Sequence, residues 1–254
     1  MWPGKFSPKS RARASFLDHL EELRQRLLVF LAAVGIFSIA AYFFSSHLLN
    51  FFALPLVQIR EAELYFQAPY EAFLTHLKIA LLTGLLAASP VFFIELWLFI
   101  APGLYRNEQR VFLPLVLVSI LLFLLGAAFA LWILVPAGLR FFLSFQTESL
   151  RPLLGVGPYF SFLIGMILAS GVAFDLPVVV LGLVRAKILR AETLQNARKG
   201  MIVFILILTA VLTPSPDPVG QILLALPLLL LYEVCIRIAK VIERKDNENS
   251  LRRG

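Results

Sequence analysis

Apolar residues run through this chain in long blocks separated by short polar stretches. Six blocks can be read, over roughly residues 27–46, 76–100, 111–138, 157–184, 200–213 and 219–236. A helix needs about 20 apolar residues to cross a ~30 Å hydrocarbon core. The second, third and fourth blocks exceed that with room for tilt, and the first just meets it. The fifth is shorter: residues 200–212 make 13, or about 20 Å at ~1.5 Å per residue. The sixth carries Pro227 in its middle, and Thr213-Pro214-Ser215-Pro216-Asp217-Pro218 joins it to the fifth as a tight turn. Blocks five and six therefore read as a short helical hairpin that thins the bilayer locally or stops short of one face.

The pattern predicts an all-α integral membrane protein of six transmembrane helices, the fifth and sixth short, preceded by an amphipathic helix at the N-terminus. Residues 1–14 read as a flexible basic tail, 15–238 as the membrane domain and 239–254 as a polar C-terminal tail. The first block follows a basic segment, as in a cleaved leader. It is too long for a leader's apolar region, and Phe44-Ser45-Ser46-His47 is a poor small-residue cleavage site, so it reads as a retained helix.

Composition agrees. Residues are 59% hydrophobic and 15% charged, against about 25% charged in a soluble domain. The single cysteine, Cys235, excludes a disulfide framework or a cysteine-based metal site. The net charge of +7 could suggest nucleic acid, but its distribution points to topology instead. Six Lys and Arg lie in residues 1–26, two in 101–110, five in 185–199 and six from 235 onward, whereas the alternate loops hold only Arg60, Arg140 and Arg151. That asymmetry is a positive-inside signal and puts both termini in the cytoplasm.

Residues 15–28 carry more than topology. Ser15 followed by Asp18 starts a helix in the manner of a capping box. Phe16, Leu17, Leu20, Leu23 and Leu27 then recur at helical spacing as one apolar face. Asp18, Glu21 and Glu22 fall where the helix dipole favours anions. The ordinary reading is a capped interfacial helix with Glu22–Arg26 as a routine i,i+4 pair. The sharper one is a carboxylate that receives a cationic ligand from the cytoplasm. Glu108, after the Pro102-Gly103 turn, either caps the third helix or supplies a second carboxylate at the same face. Paired carboxylates suit paired guanidiniums, because arginine–carboxylate contacts are bidentate and charge-assisted.

Asp175 lies in the middle of the fourth block, beside Pro177. Burying a carboxylate at mid-bilayer costs ~3 kcal/mol on insertion scales, so it is expected to face the bundle interior or a polar cavity. Bonding to backbone groups freed by Pro177 is the structural alternative. Asp175 also admits a second function, as the proton relay of an ion-coupled small-solute transporter. Lys78 and Glu95 share the second block, Lys78 near the outer interface and Glu95 nearer the inner one. Lys78 reads as snorkelling, Glu233 as paired with Arg237 four residues on, and Asp217 as a cap on the sixth helix. No His-Glu-x-x-His, Gly-x-Ser-x-Gly or Walker loop is present. His19, His47 and His76 are mutually remote in sequence, so neither enzyme, cofactor nor metal site is expected.

Several short pieces taken together carry a resemblance. They are His19 to Leu27 (HLEELRQRL), Trp97 to Tyr105 (WLFIAPGLY) with Glu108, Gly171 to Pro177, Thr213-Pro214 with Asp217 and Gln221, and Leu224 to Pro227 with Tyr232-Glu233. In this order and spacing they resemble the TatC family, the multispanning receptor of the twin-arginine protein translocase. The resemblance implies a glove-shaped six-helix bundle in the cytoplasmic membrane, binding signal peptides with two adjacent arginines on folded cargo. It implies that Glu22 and Glu108 receive those arginines, with Leu20 and Phe99 in the same patch. Asp175, Thr213, Gln221 and Asp217 would meet single-span partners of the TatA/TatB type in an oligomeric complex driven by the proton motive force. The family usually has Glu where this chain has Asp175, one methylene shorter, and the turn around Ser215 carries one extra residue. If Glu22 is to accept arginines from another chain, Arg24 and Arg26 must be held off it.

Overall fold

The computed structural model describes residues 8–57, 64–100, 109–147, 153–185, 188–213 and 218–251. The chain order is α1 (Pro8–Phe43), α2 (Ser45–Val57), β1 (Leu64–Tyr65), α3 (Glu71–Ile100), α4 (Gln109–Phe129), a π-helical segment (Ala130–Leu134), α5 (Val135–Leu143), β2 (Leu154–Gly155), α6 (Val156–Arg185), α7 (Ala191–Asn196), α8 (Arg198–Leu212) and α9 (Pro218–Leu251). In hydrocarbon every backbone group must be satisfied within the chain, and helices do that locally. The two short strands pair in parallel, Leu64 opposite Leu154 and Tyr65 opposite Gly155, and tie the loops ahead of α3 and α6 together.

Among the described residues, five stretches are long and apolar enough to span a bilayer: His19–Phe43, Glu71–Phe99, Leu113–Leu143, Val156–Arg185 and Pro218–Arg244. The protein is thus an all-α, multi-pass membrane protein. The expected fifth span is α8, whose 15 residues reach only about 22 Å at ~1.5 Å per residue.

Three boundaries differ from the sequence reading. Helix α1 begins at Pro8, inside the segment expected as a flexible tail. Proline suits a first helical turn, where its missing N–H is not needed, and the Lys, Arg and Ala that follow are good helix formers. The amphipathic stretch and the first span are therefore one continuous helix. At the other end α9 runs for 34 residues, through the expected polar tail. The sixth span is consequently not short, and Pro227 sits within the helix without ending it, as membrane helices tolerate.

Helix α6 forms the centre of the bundle, with Phe160, Leu163, Met166 and Ile167 fully buried. It packs on α4 through glycines. A Cβ added at Gly126 would come within 2.6 Å of the Ser170 carbonyl oxygen, and one at Gly171 within 2.8 Å of the Phe123 ring. The α1–α3 contact is equally close at Gly84, where a Cβ would lie 2.6 Å from the Ser38 backbone nitrogen. Several buried polar groups are matched between elements. Trp97 Nε1 donates to Ser119 Oγ at 3.1 Å, and the Tyr159 and Tyr232 hydroxyls donate to the carbonyls of Phe52 and Leu194 at 2.9 and 2.7 Å. Lys78, expected to snorkel, donates from Nζ to Ser161 Oγ on α6 at 3.0 Å. Glu233 pairs with Arg198 of α8 at 2.6 Å rather than with Arg237. The hairpin brings α8 alongside α9, so the cross-helix cation replaces the one on its own helix.

Candidate functional site

Helices α1 and α3 lie side by side and bring Glu22, Arg26 and Glu95 to the same end. On α1 the i, i+3, i+7 spacing of His19, Glu22 and Arg26 puts all three on one face. On α3, Glu95 and Phe99 are one turn apart and look toward that face. Arg26 bridges the two helices. Its Nε and Nη2 donate to Glu22 Oε1 at 3.1 and 2.6 Å, and its Nη1 donates to Glu95 Oε2 at 2.8 Å. The other Glu22 oxygen, Oε2, faces His19 Nδ1 at 3.7 Å. The His19 ring stacks on Phe99, centroids 4.2 Å apart and planes 11° from parallel.

Glu22, Phe99 and His19 are thus brought together as one patch. The Arg26 and Glu95 side chains are only about one-fifth exposed, under a small cleft lined by Leu23, Leu27, Phe30 and Phe92. Leu20, two residues before Glu22 and so turned to another side of α1, is 45% exposed, and Leu23 and Leu27 are exposed to a similar degree, so the apolar face of α1 is open to lipid or a ligand. Arg24 is exposed. The expectation that Arg26 stands off Glu22 does not hold: the routine i,i+4 pair forms, and a second carboxylate completes it. That carboxylate, Glu95, is not among the site residues expected from sequence. Its signal was that three ionisable residues, Glu22, Arg26 and Glu95, all fall near one end of their apolar blocks. Glu108 lies outside the described residues.

Asp175 occupies a different place. It lines a cleft of about 400 Å³ between α3, α4 and α6, whose walls include Phe93, Trp97, Phe123 and Val172. Its Oδ1 is buried and has no hydrogen-bond partner among the described residues. Cys235 Sγ donates to the Pro177 carbonyl at 3.4 Å. Phe92 and Leu96 line both this cleft and the one over Arg26, so the two share a wall.

Thr213 and Gln221 each bond to a carbonyl of α8 at the α8–α9 hairpin. Thr213 is buried, and its hydroxyl donates to the Thr209 carbonyl at 2.9 Å, closing the last turn of α8. Gln221 Nε2 donates to the Leu206 carbonyl at 3.0 Å and ties α9 to α8. Asp217 lies outside the described residues. Ile202, Val203, Phe204, Ile207 and Val211 leave much of the α8 surface apolar and exposed.

The family model for TatC, described as Sec-independent protein translocase protein (TatC), matches residues 18–227. The chain belongs to the TatC family. It is 39% identical over 238 residues to the Sec-independent protein translocase protein TatC of Magnetococcus marinus, an alignment covering 93% of this chain and 88% of that protein. Identity to the protein of that name from Aquifex aeolicus is also 39%, over 91% of this chain and 97% of the other. A crystal structure of the twin arginine translocase receptor TatC superposes with a TM-score of 0.75 at 40% identity, covering 88% of this chain and 98% of the other. These relatives are protein translocase components, not enzymes, and none of them favours the small-solute transporter.

Proposed function

We propose that this chain is the receptor and core subunit of a twin-arginine translocase in the cytoplasmic membrane, with both termini in the cytoplasm. The observation that carries the reading is at Glu22. It already holds a guanidinium through two nitrogens at a partly exposed position, next to His19 and the Phe99 ring stacked on it. An incoming arginine would find a carboxylate already in contact with a guanidinium, and could grip both its oxygens with a fork that lysine, with one nitrogen, cannot reproduce. Glu108 is the second arginine acceptor in this reading. The wall shared through Phe92 and Leu96 gives the apolar part of a signal peptide a route from the Glu22 patch toward the Asp175 cleft.

Single-span partners of the TatA/TatB type would meet the exposed apolar surface of α8, held in place by the Thr213 and Gln221 bonds, with Asp217, between α8 and α9 in sequence, as a further contact. Asp175 would offer its unpartnered oxygen to a polar group on such a helix. Assembly into an oligomeric complex and drive by the proton motive force complete the proposal. The α8 helix, with the rest of the bundle, makes six transmembrane helices if the bilayer thins to meet it.

The test is photocrosslinking of a twin-arginine signal peptide to probes placed within residues 15–27 and 99–110. Adducts are expected with the native peptide and not with a peptide whose two arginines are lysines. Glu22→Ala combined with Glu108→Ala is expected to abolish the adducts, and normal binding by that double variant would refute the site.

A further inference from the structure

The contact that fills Glu22 has a consequence for how a peptide binds. A guanidinium that grips a carboxylate through two parallel bonds needs both oxygens. Glu22 Oε1 is taken twice by Arg26, so a peptide arginine cannot engage the carboxylate fully until Arg26 leaves. The Arg26 side chain is 22% exposed. It sits where α1 becomes continuously apolar, among Leu23, Leu27, Phe30 and Phe92, and a bare cation within such walls is costly. Glu95 solves the problem, because it already holds the third nitrogen of Arg26 at 2.8 Å and is itself only 21% exposed.

We infer that Arg26 is a resident stand-in for the signal arginine, and that Glu95 is the seat that keeps it when the incoming arginine takes Glu22. The inference rests on the receptor reading of Glu22 and adds two residues to the recognition site. Glu95 makes Glu22 releasable: without it, freeing Glu22 would strand a charge. His19 is the other neighbour of Glu22, 3.7 Å from Oε2, and its stacking on Phe99 aligns it beside the oxygen that Arg26 leaves open. Competition from within the chain lowers the apparent affinity of every cationic ligand by the same factor, the fraction of time Glu22 is free. It therefore sets how much affinity a peptide needs, while the preference for arginine over lysine stays with the geometry of Glu22.

The experiment is a titration of the full-length protein in nanodiscs with a fluorescent twin-arginine signal peptide and its twin-lysine counterpart. Arg26→Gln is expected to tighten both peptides by about tenfold, as removal of a competitor that occupies Glu22 some nine-tenths of the time would. Arg24→Gln removes the same charge two residues away and is expected to change affinity less than about twofold. Glu95→Gln is expected to weaken binding several-fold in the native background and to have no further effect when combined with Arg26→Gln, a dependence that marks direct coupling. Arg26→Gln binding no tighter than Arg24→Gln, or Glu95→Gln weakening both backgrounds equally, overturns the handover while leaving Glu22 as receptor. Glu22→Gln with native affinity overturns the receptor reading itself, and the handover with it. If Arg26→Gln does not fold, Arg26→Lys takes its place. A single ammonium leaves Glu22 more often free, so tighter binding than native is expected, and unchanged or weaker binding overturns the inference.

Discussion

Single residues here divide into those that hold helices together and those left unsatisfied. Trp97 and Ser119 belong to the first group. Loss of that hydroxyl in Ser119→Ala strands the indole N–H in an apolar setting and is expected to cost about 1–3 kcal/mol, seen as a lower thermal midpoint by circular dichroism in detergent. Asp175 belongs to the second. Its buried oxygen has no partner among the described residues, and a mid-membrane carboxylate is unfavourable by ~3 kcal/mol. Asp175→Leu is therefore expected to raise the thermal midpoint while reducing export of a twin-arginine reporter. A lower midpoint would mean that the carboxylate is structural. The presence of Asp175 inside an apolar block was plain in the sequence, as was the Glu22–Arg26 spacing. The place of Glu95 in that cluster was not, because 69 residues separate it from Arg26 and only the packing of α3 on α1 brings them together.

Among the elements, close approach of backbones decides the pairing. Gly84 allows α3 to lie against Ser38 of α1, and Gly126 and Gly171 do the same for α4 and α6. Gly84→Val is expected to destabilise by about 1–3 kcal/mol, as overpacking does, and to weaken peptide binding by displacing Glu95 from Arg26. Gly126→Val is expected to destabilise similarly with little change in peptide affinity. Comparison of thermal midpoints with titrations on the folded variants separates the two. Glycines in apolar blocks are visible in a sequence, but which neighbour each one admits is set by helix rotation, and period alone does not supply that. The apolar blocks themselves correspond closely to helices. The ends were harder to read, since Pro8 starts a helix and Pro227 interrupts none. Proline's effect depends on whether its missing N–H had a partner to lose.

For the molecule as a whole, the orientation expected from the basic asymmetry can be tested directly. Tyr70 and Lys240 are exposed, at opposite ends of the bundle, and Cys235 is buried at 2% exposure, so it should not compete for a thiol reagent. In intact cells an impermeant maleimide is expected to label Tyr70→Cys, and to label Lys240→Cys only after permeabilisation. The reverse pattern would invert the topology and remove Glu22 from the cytoplasm. The spread of charge is legible because it sums over several segments, six Lys and Arg in residues 1–26 and five in 185–199 against three in the alternate loops. The span count was not, because it depends on how one 15-residue helix meets its solvent.

That short helix has a consequence for assembly. A segment about 22 Å long beside a ~30 Å hydrocarbon layer leaves some 8 Å of thickness for the surrounding lipid to absorb, at fractions of a kcal/mol per Å. Lipid deformed around one short helix is already deformed for a second. Two such helices in contact share a single rim of strained bilayer, and their attraction then comes from the membrane as well as from side chains. Association at α8 should therefore strengthen as acyl chains lengthen, and reconstitution across lipids of graded chain length would read that force directly.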